Sequence, residues 1–213
     1  MDTTIPHPPL NQKLVIIING KGGAGKDTLC GIAAQYYRTE NISAITPVKD
    51  IARQHGWNGE KDARARKFLA DLKRAFVDYC DLPNAYLEAE YRRFSQSDSA
   101  LLFVHIRETD QIDDFKRRVA HRCVTLLVRS PRIEASYGND ADDLAENYPY
   151  DYCYVNEKPL EELPPDFMAF LSDMFAREGL IESEKGIEKE SVPVYTEHDS
   201  AEKNNKELDG TKH

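Results

Sequence analysis

Gly20, Lys21, Gly22, Gly23, Ala24, Gly25 and Lys26 carry the strongest chemical signal in this chain. Glycines let a backbone curl until successive N–H groups point at one anion, and a helix N-terminus just downstream adds positive potential. Residues 16–30, "IIINGKGGAGKDTLC", have that order: an apolar run, the glycine loop, then a helix-forming segment. A glycine-rich turn can merely reverse a chain, but this context selects a phosphate-cradling loop for a nucleoside triphosphate. Lys26 would reach the β- and γ-phosphates. The next residue is normally Ser or Thr, whose hydroxyl sits on magnesium. Here it is Asp27, and Thr28 comes one place late. Two readings of Asp27 stand. It holds the metal through water, since magnesium keeps several waters, or it only caps the helix at its positive end. Under the first, Thr28 offers its hydroxyl and N–H to the α-phosphate. ATP and Mg2+ are the expected ligands.

The elements that must position this loop follow from hydrophobic periodicity. Residues 13–19, "KLVIIIN", form a continuous β-branched run, the pattern of a strand covered on both faces. A helix is expected from "KDTLCGIAAQYYR", a strand over "ISAIT" and a short helix over "VKDIARQHG". Phe68, Leu69, Leu72, Ala75, Phe76 and Tyr79 recur at helical spacing. "PNAYLEAEYRRF" reads as a helix with Pro83 near its first turn. "LLFVHI" is a buried strand, and "TDQIDDFKRRVA" a helix capped by Thr109. "CVTLLV" and "YDYCYVN" are two more strands. "LEELPPDFMAFLSDMFA" is a final helix that Pro164 and Pro165 must break or restart. Strands alternating with helices imply a parallel sheet, because parallel neighbours need crossovers. One α/β domain over about residues 12–177 results, behind a flexible leader (1–11) and ahead of a disordered charged tail (178–213).

The formal charge of -9 argues against a general polyanion binder. Ten acidic and five basic side chains lie from Glu178 onward, so about half of the excess is local. Cys30, Cys80, Cys123 and Cys153 have no metal-ligand spacing and read as reduced, mostly buried thiols. The first residues lack a signal-peptide pattern, and no apolar run approaches the roughly 18 residues of a membrane span. The expected location is cytoplasmic.

Gly-Lys-Asp in such a loop recurs in a group of small kinases. Through "GKGGAGKDT", "TPVKDIARQHGW", "FVHIRETDQIDDF" and "YDYCYVNEKPLEEL", the chain resembles the deoxynucleoside monophosphate kinase and animal-type phosphomevalonate kinase group, within the nucleoside monophosphate kinase-like fold. The blocks span about residues 13–172. The resemblance implies a P-loop NTPase fold: a five-stranded parallel sheet flanked by helices, with a short lid over about 129–147 and a helical acceptor-binding region. It implies ATP on residues 20–28 and an acceptor phosphate near Arg107 and the helices after strand two, where Lys49 lies. One departure is that His105 stands where the group commonly has Asp, which removes a magnesium carboxylate and makes Asp27 the more plausible metal partner.

Phosphoryl transfer is mostly positioning and charge neutralisation, so basic groups should converge from several elements. Arg107 lies past the carboxyl end of a buried strand, where open α/β sheets bind ligands. Arg66 and Lys73 share one helical stripe and are acceptor candidates. Arg129 and Arg132 flank the start of the lid segment and would close over the phosphates. Asn156 would frame the adenine-side loop, although an Asn in a turn is ordinary. Lys26, Arg107 and Arg129 are the catalytic candidates. The expected activity is ATP-dependent phosphoryl transfer to a small phosphorylated acceptor, foremost a (deoxy)nucleoside monophosphate. A non-nucleotide phosphate such as phosphomevalonate, or ATP binding without turnover, are the alternatives. Neither nucleic-acid polymer nor membrane is an expected partner.

Overall fold

Val15, Ile16, Ile17 and Ile18 are consecutive and β-branched, so their side chains leave the strand on alternate faces and both faces need cover. The computed structural model describes residues 8–60, 62–133 and 148–181 and supplies that cover. Strand β1 (Leu14–Asn19) is buried along its whole length. Leu14, Ile16 and Ile18 pack with Leu29 of helix α1 (Lys26–Ala33) and with Phe167 and Phe175 of the last helix, α6 (Leu163–Arg177). Val15 and Ile17 turn the other way, onto Leu87 and Phe94 of α4 (Leu82–Gln96) and Ile112 and Phe115 of α5 (Thr109–Arg118).

The remaining strands are β2 (Thr39–Ser43), β3 (Leu101–His105), β4 (Arg122–Arg129) and β5 (Tyr152–Val155). All pairings are parallel, in the order β2-β3-β1-β4-β5. This is the expected five-stranded parallel sheet between helices. The chain crosses from β3 to β4 over the central β1, so the switch point falls at the carboxyl end of β1, where such sheets bind ligands. Helices α2 (Thr46–Gln54) and α3 (Ala63–Cys80) complete the helical region after β2.

Several boundaries differ from expectation for identifiable reasons. β2 starts at Thr39, earlier than its apolar residues, because polar Thr39 and Glu40 still pair their backbone with Leu101 and Leu102. Thr46 and Pro47 open α2 instead, where proline's missing N–H costs nothing. Helix α1 stops at Ala33, several residues short of the expected end, in a turn that brings Tyr37 edge-on to Phe175. Thr109 is not the cap of α5; Glu108 holds that position and makes no side-chain cap bond, its carboxylate being bound to Lys73. Pro164 and Pro165 sit in the first turn of α6, so they start the helix and do not break it. The thiols are less buried than expected: Cys80 and Cys153 are exposed, and none of the four is disulfide-bonded.

Of the stretch read as a leader, Leu10 packs against the core and the Asn11 N–H donates to Leu180 O at 2.9 Å. Residues 1–7, most of the expected lid (134–147) and most of the expected tail (182–213) lie outside the described residues. No helix among the described residues is long and apolar enough to cross a membrane.

Candidate active site

The glycine loop leaves the carboxyl end of β1 and runs into α1. Gly20 has φ +137°, and a Cβ there would stand 2.2 Å from the Val128 carbonyl oxygen of β4. Only glycine lets β1 and β4 remain at hydrogen-bonding distance while the loop turns away. Gly25, at φ 93°, caps α1 without a side chain, and a Cβ there would meet the Asn156 amide nitrogen at 2.3 Å. Lys26 folds across the loop, its Nζ donating to Gly20 O at 2.5 Å and Lys21 O at 2.9 Å.

Asn156 follows β5 and is buried. Its Nδ2 donates to Ala24 O at 2.9 Å, its N–H to Arg129 O at 2.7 Å, and its carbonyl accepts from Ser130 Oγ at 3.1 Å. The backbone of Asn156 therefore joins the ends of β4 and β5, and its side chain ties them to the loop. Arg132 adds a second tie, its guanidinium donating to the carbonyls of Glu157 and Lys158 at 2.8 and 2.7 Å. Beside these lies an open cleft of about 440 Å³, lined by Lys21, Arg129, Ser130, Pro131, Ile133 and Val155 among others. The described residues thus place Arg129 at the cleft, whereas Arg132 braces its wall.

A curled glycine loop between the central strand of a 2-3-1-4-5 parallel sheet and a helix N-terminus has one architectural meaning. The fold is that of the P-loop NTPases. No protein-family model and no curated protein sequence matches the chain. Among solved structures, the chain is similar to the shikimate kinase of Aquifex aeolicus, with 13% identity over 79% of this chain and 99% of that one, at a TM-score of 0.47. A shikimate kinase from Acinetobacter baumannii, in complex with shikimate, gives 12% identity over 79% and 96%, at 0.42. The APS kinase CysC of Mycobacterium tuberculosis gives 9% identity over 78% and 99%, at 0.35. Sheet order and loop geometry, not these similarities, define the fold.

On the other side of the P-loop, His105 ends β3 and pairs in register with Ile18 and Ser43. Its Nε2 lies 3.9 Å from the buried Cys30 Sγ of α1. Burial lowers the imidazole's pKa from 6.5 to about 4; Asp27 opposes this, while the charges of Lys26, Lys49 and Arg107 push it down further. Burial first, then Asp27, pushes the Cys30 thiol up to about 12. The pair is therefore neutral at pH 7, with Lys26, Asp27, Lys49 and Arg107 all close enough to act on it. Four sequence candidates, on α1, on α2 and in the stretch after β3, thus act electrostatically on one strand end.

This predicts a pH limb. Below pH 6.5 the unfolded chain takes up a proton on His105 that the folded protein refuses until about pH 4. Stability therefore rises with pH across that window and is level above it, the full extent being about 3 kcal/mol. The stability difference between wild type and His105→Gln, followed by chemical denaturation from pH 4 to 7, should track this limb. A pH-independent difference would refute the assignment.

The acceptor candidates divide. Lys49 is half-buried on α2, and Arg107 is exposed beyond β3. Arg66 is exposed on α3. Lys73, on the same stripe, donates to Glu108 Oε1 at 2.5 Å and Gln111 Oε1 at 3.3 Å, so α3 is fastened to the start of α5. Asp27 and Thr28 are exposed in the first turn of α1. The described residues hold no group of three or more carboxylate, His or Cys side chains suited to a metal. Magnesium bound to phosphate oxygens and water needs only one or two protein carboxylates, and Asp27 fits that demand. Sequence reasoning missed Asn19, Glu108 and the Cys30 contact. Only Asn19 left a signal, as a polar residue closing an apolar strand.

Proposed function

We propose that this protein is a cytoplasmic kinase of the nucleoside monophosphate kinase-like group, moving the terminal phosphoryl group of ATP to a small phosphorylated acceptor, foremost a (deoxy)nucleoside monophosphate. The observation that carries this reading is the glycine loop between β1 and α1 with Lys26 folded across it, and the charges of Lys26, Lys49 and Arg107 all act on His105 at the end of β3. Residues 20–28 bind the triphosphate through backbone N–H groups and the α1 N-terminus. Lys26 exchanges its two loop carbonyls for phosphate oxygens and offsets charge on the migrating group. Arg107 and Lys49, on the opposite side, hold the acceptor phosphate and Arg129 closes the donor side. An acceptor phosphate already ionised at neutral pH needs no general base, and His105, uncharged there, is not asked to supply one. Asp27 would hold magnesium, which when bound neutralises donor phosphate charge.

Isothermal titration with ATP and magnesium, followed by ADP release against a panel of monophosphates, tests this. Micromolar binding and acceptor-dependent release are expected. Binding without release would leave a regulatory ATP-binding protein, and release only with a non-nucleotide phosphate would move the acceptor class. Asp27→Asn should raise the magnesium concentration needed for half-maximal turnover severalfold; an unchanged titration would leave Asp27 as a helix cap only.

A further inference from the structure

Asn19 is the one polar residue of β1 and is 1% exposed. A buried amide must satisfy a carbonyl and two N–H donors, and its partners come from three places. Asn19 Oδ1 accepts from the Gly20 N–H at 2.8 Å, the first amide of the P-loop. Its Nδ2 donates to the carbonyl oxygen of Arg107 at 3.2 Å, beyond the end of β3. Its side chain also bonds the hydroxyl of Tyr150, a half-buried phenol whose pKa burial raises to about 12 and the Asn19 bond partly lowers. Tyr150 stacks edge-on with Tyr148, whose hydroxyl donates to Asp113 Oδ1 of α5 at 2.6 Å.

We propose that Asn19 is a positioning residue that sets the spacing between the phosphate cradle and the backbone of Arg107, with Tyr150 as its third anchor. This rests on the kinase reading above. The triphosphate is held by loop amides that begin at Gly20, and the acceptor phosphate by a side chain whose own backbone hangs from the same amide group. A nucleophile and a phosphoryl group must meet in line, and misplacement by about 1 Å can cost on the order of 10²-fold in rate. Residue chemistry narrows the choice. Leucine would fill the space but leave the Arg107 carbonyl and the Gly20 N–H without their side-chain partner. Aspartate would still accept from Gly20 but has no donor for Arg107, and would set two oxygens against each other.

The test uses the full chain with ATP, magnesium and whichever monophosphate supports wild-type turnover. Asn19→Asp should lower kcat roughly 10²-fold while the ATP dissociation constant stays within about threefold. Tyr150→Phe keeps the ring packing, and should lower kcat about fivefold with little change in melting temperature. Backbone-amide NMR adds a readout that a merely structural role would not move. ATP should shift the Arg107 and Tyr150 resonances in wild type, and the Arg107 response should be lost in Asn19→Asp. If Asn19→Asp fails to fold, Tyr150→Phe still decides, through its kcat and its Arg107 response to ATP. Wild-type kcat and wild-type shifts in the folded variants would overturn the proposal and leave the kinase reading standing. A wild-type protein that binds no ATP would overturn both.

Discussion

Lys26→Ala is expected to lower acceptor-dependent turnover at least about 10³-fold, at the upper end of what removing one preorganised charge-stabilising donor costs. The fold should survive, because the bonds from Nζ to the part-buried carbonyls of Gly20 and Lys21 lie within the loop itself, each of net worth about 1 kcal/mol. The consequence is a variant that melts within a few degrees of wild type and does not turn over. ADP release beside a thermal melt checks both halves. Unimpaired turnover would remove Lys26 from the chemistry and with it the mechanism proposed above, whereas a collapsed melting temperature would mean that the lysine mainly holds the loop.

Gly20→Ala is expected to have the largest effect on the protein itself. The new Cβ would sit 2.2 Å from Val128 O, which is backbone of a central strand and cannot rotate aside, and the residue would keep φ near +137°. Overpacking of this kind costs roughly 1–3 kcal/mol and an unsuitable backbone conformation about as much again. A destabilisation of about 3 kcal/mol or more follows, with loss of ATP binding, since the loop can relieve the clash only by moving its amides. Gly22 is the internal control. It has no positive φ, and a Cβ there meets nothing within 4 Å. Gly22→Ala should therefore be nearly neutral in stability. Urea denaturation and isothermal titration of the two variants separate these outcomes; equal behaviour would show that the Val128 contact does not constrain the loop.

Both variants test residues that were visible before any coordinates. The P-loop is legible because its signal is local: glycines, a lysine, an apolar run before and an amphipathic segment after, all within fifteen residues. The contacts that make it a site are not local. Asn156 reaches Ala24 across 132 positions of sequence, and Asn19 reaches Arg107 across 88. Nothing in an Asn after a strand says which turn it will face. Lys73 shows the reverse error. Its place on a stripe with Arg66 was correct, but periodicity could not tell that Glu108 would stand opposite. Likewise, only Ile42 and Ser43 of the expected second strand lie in β2, and its polar start was missed because Thr39 and Glu40 are recruited by the backbone of β3 and not by burial.

Strand and helix order, the parallel sheet and the place of the P-loop between β1 and α1 were determined by the amino-acid sequence alone, because hydrophobic period and glycine placement act over a few residues. Which charged groups meet at the end of β3, which are spent on α5 or on the cradle's own wall, and why His105 stays neutral were decided only by tertiary structure. Those outcomes depend on crossovers that bring distant strand ends together and on the burial that results, and neither quantity is written in any short stretch of chain.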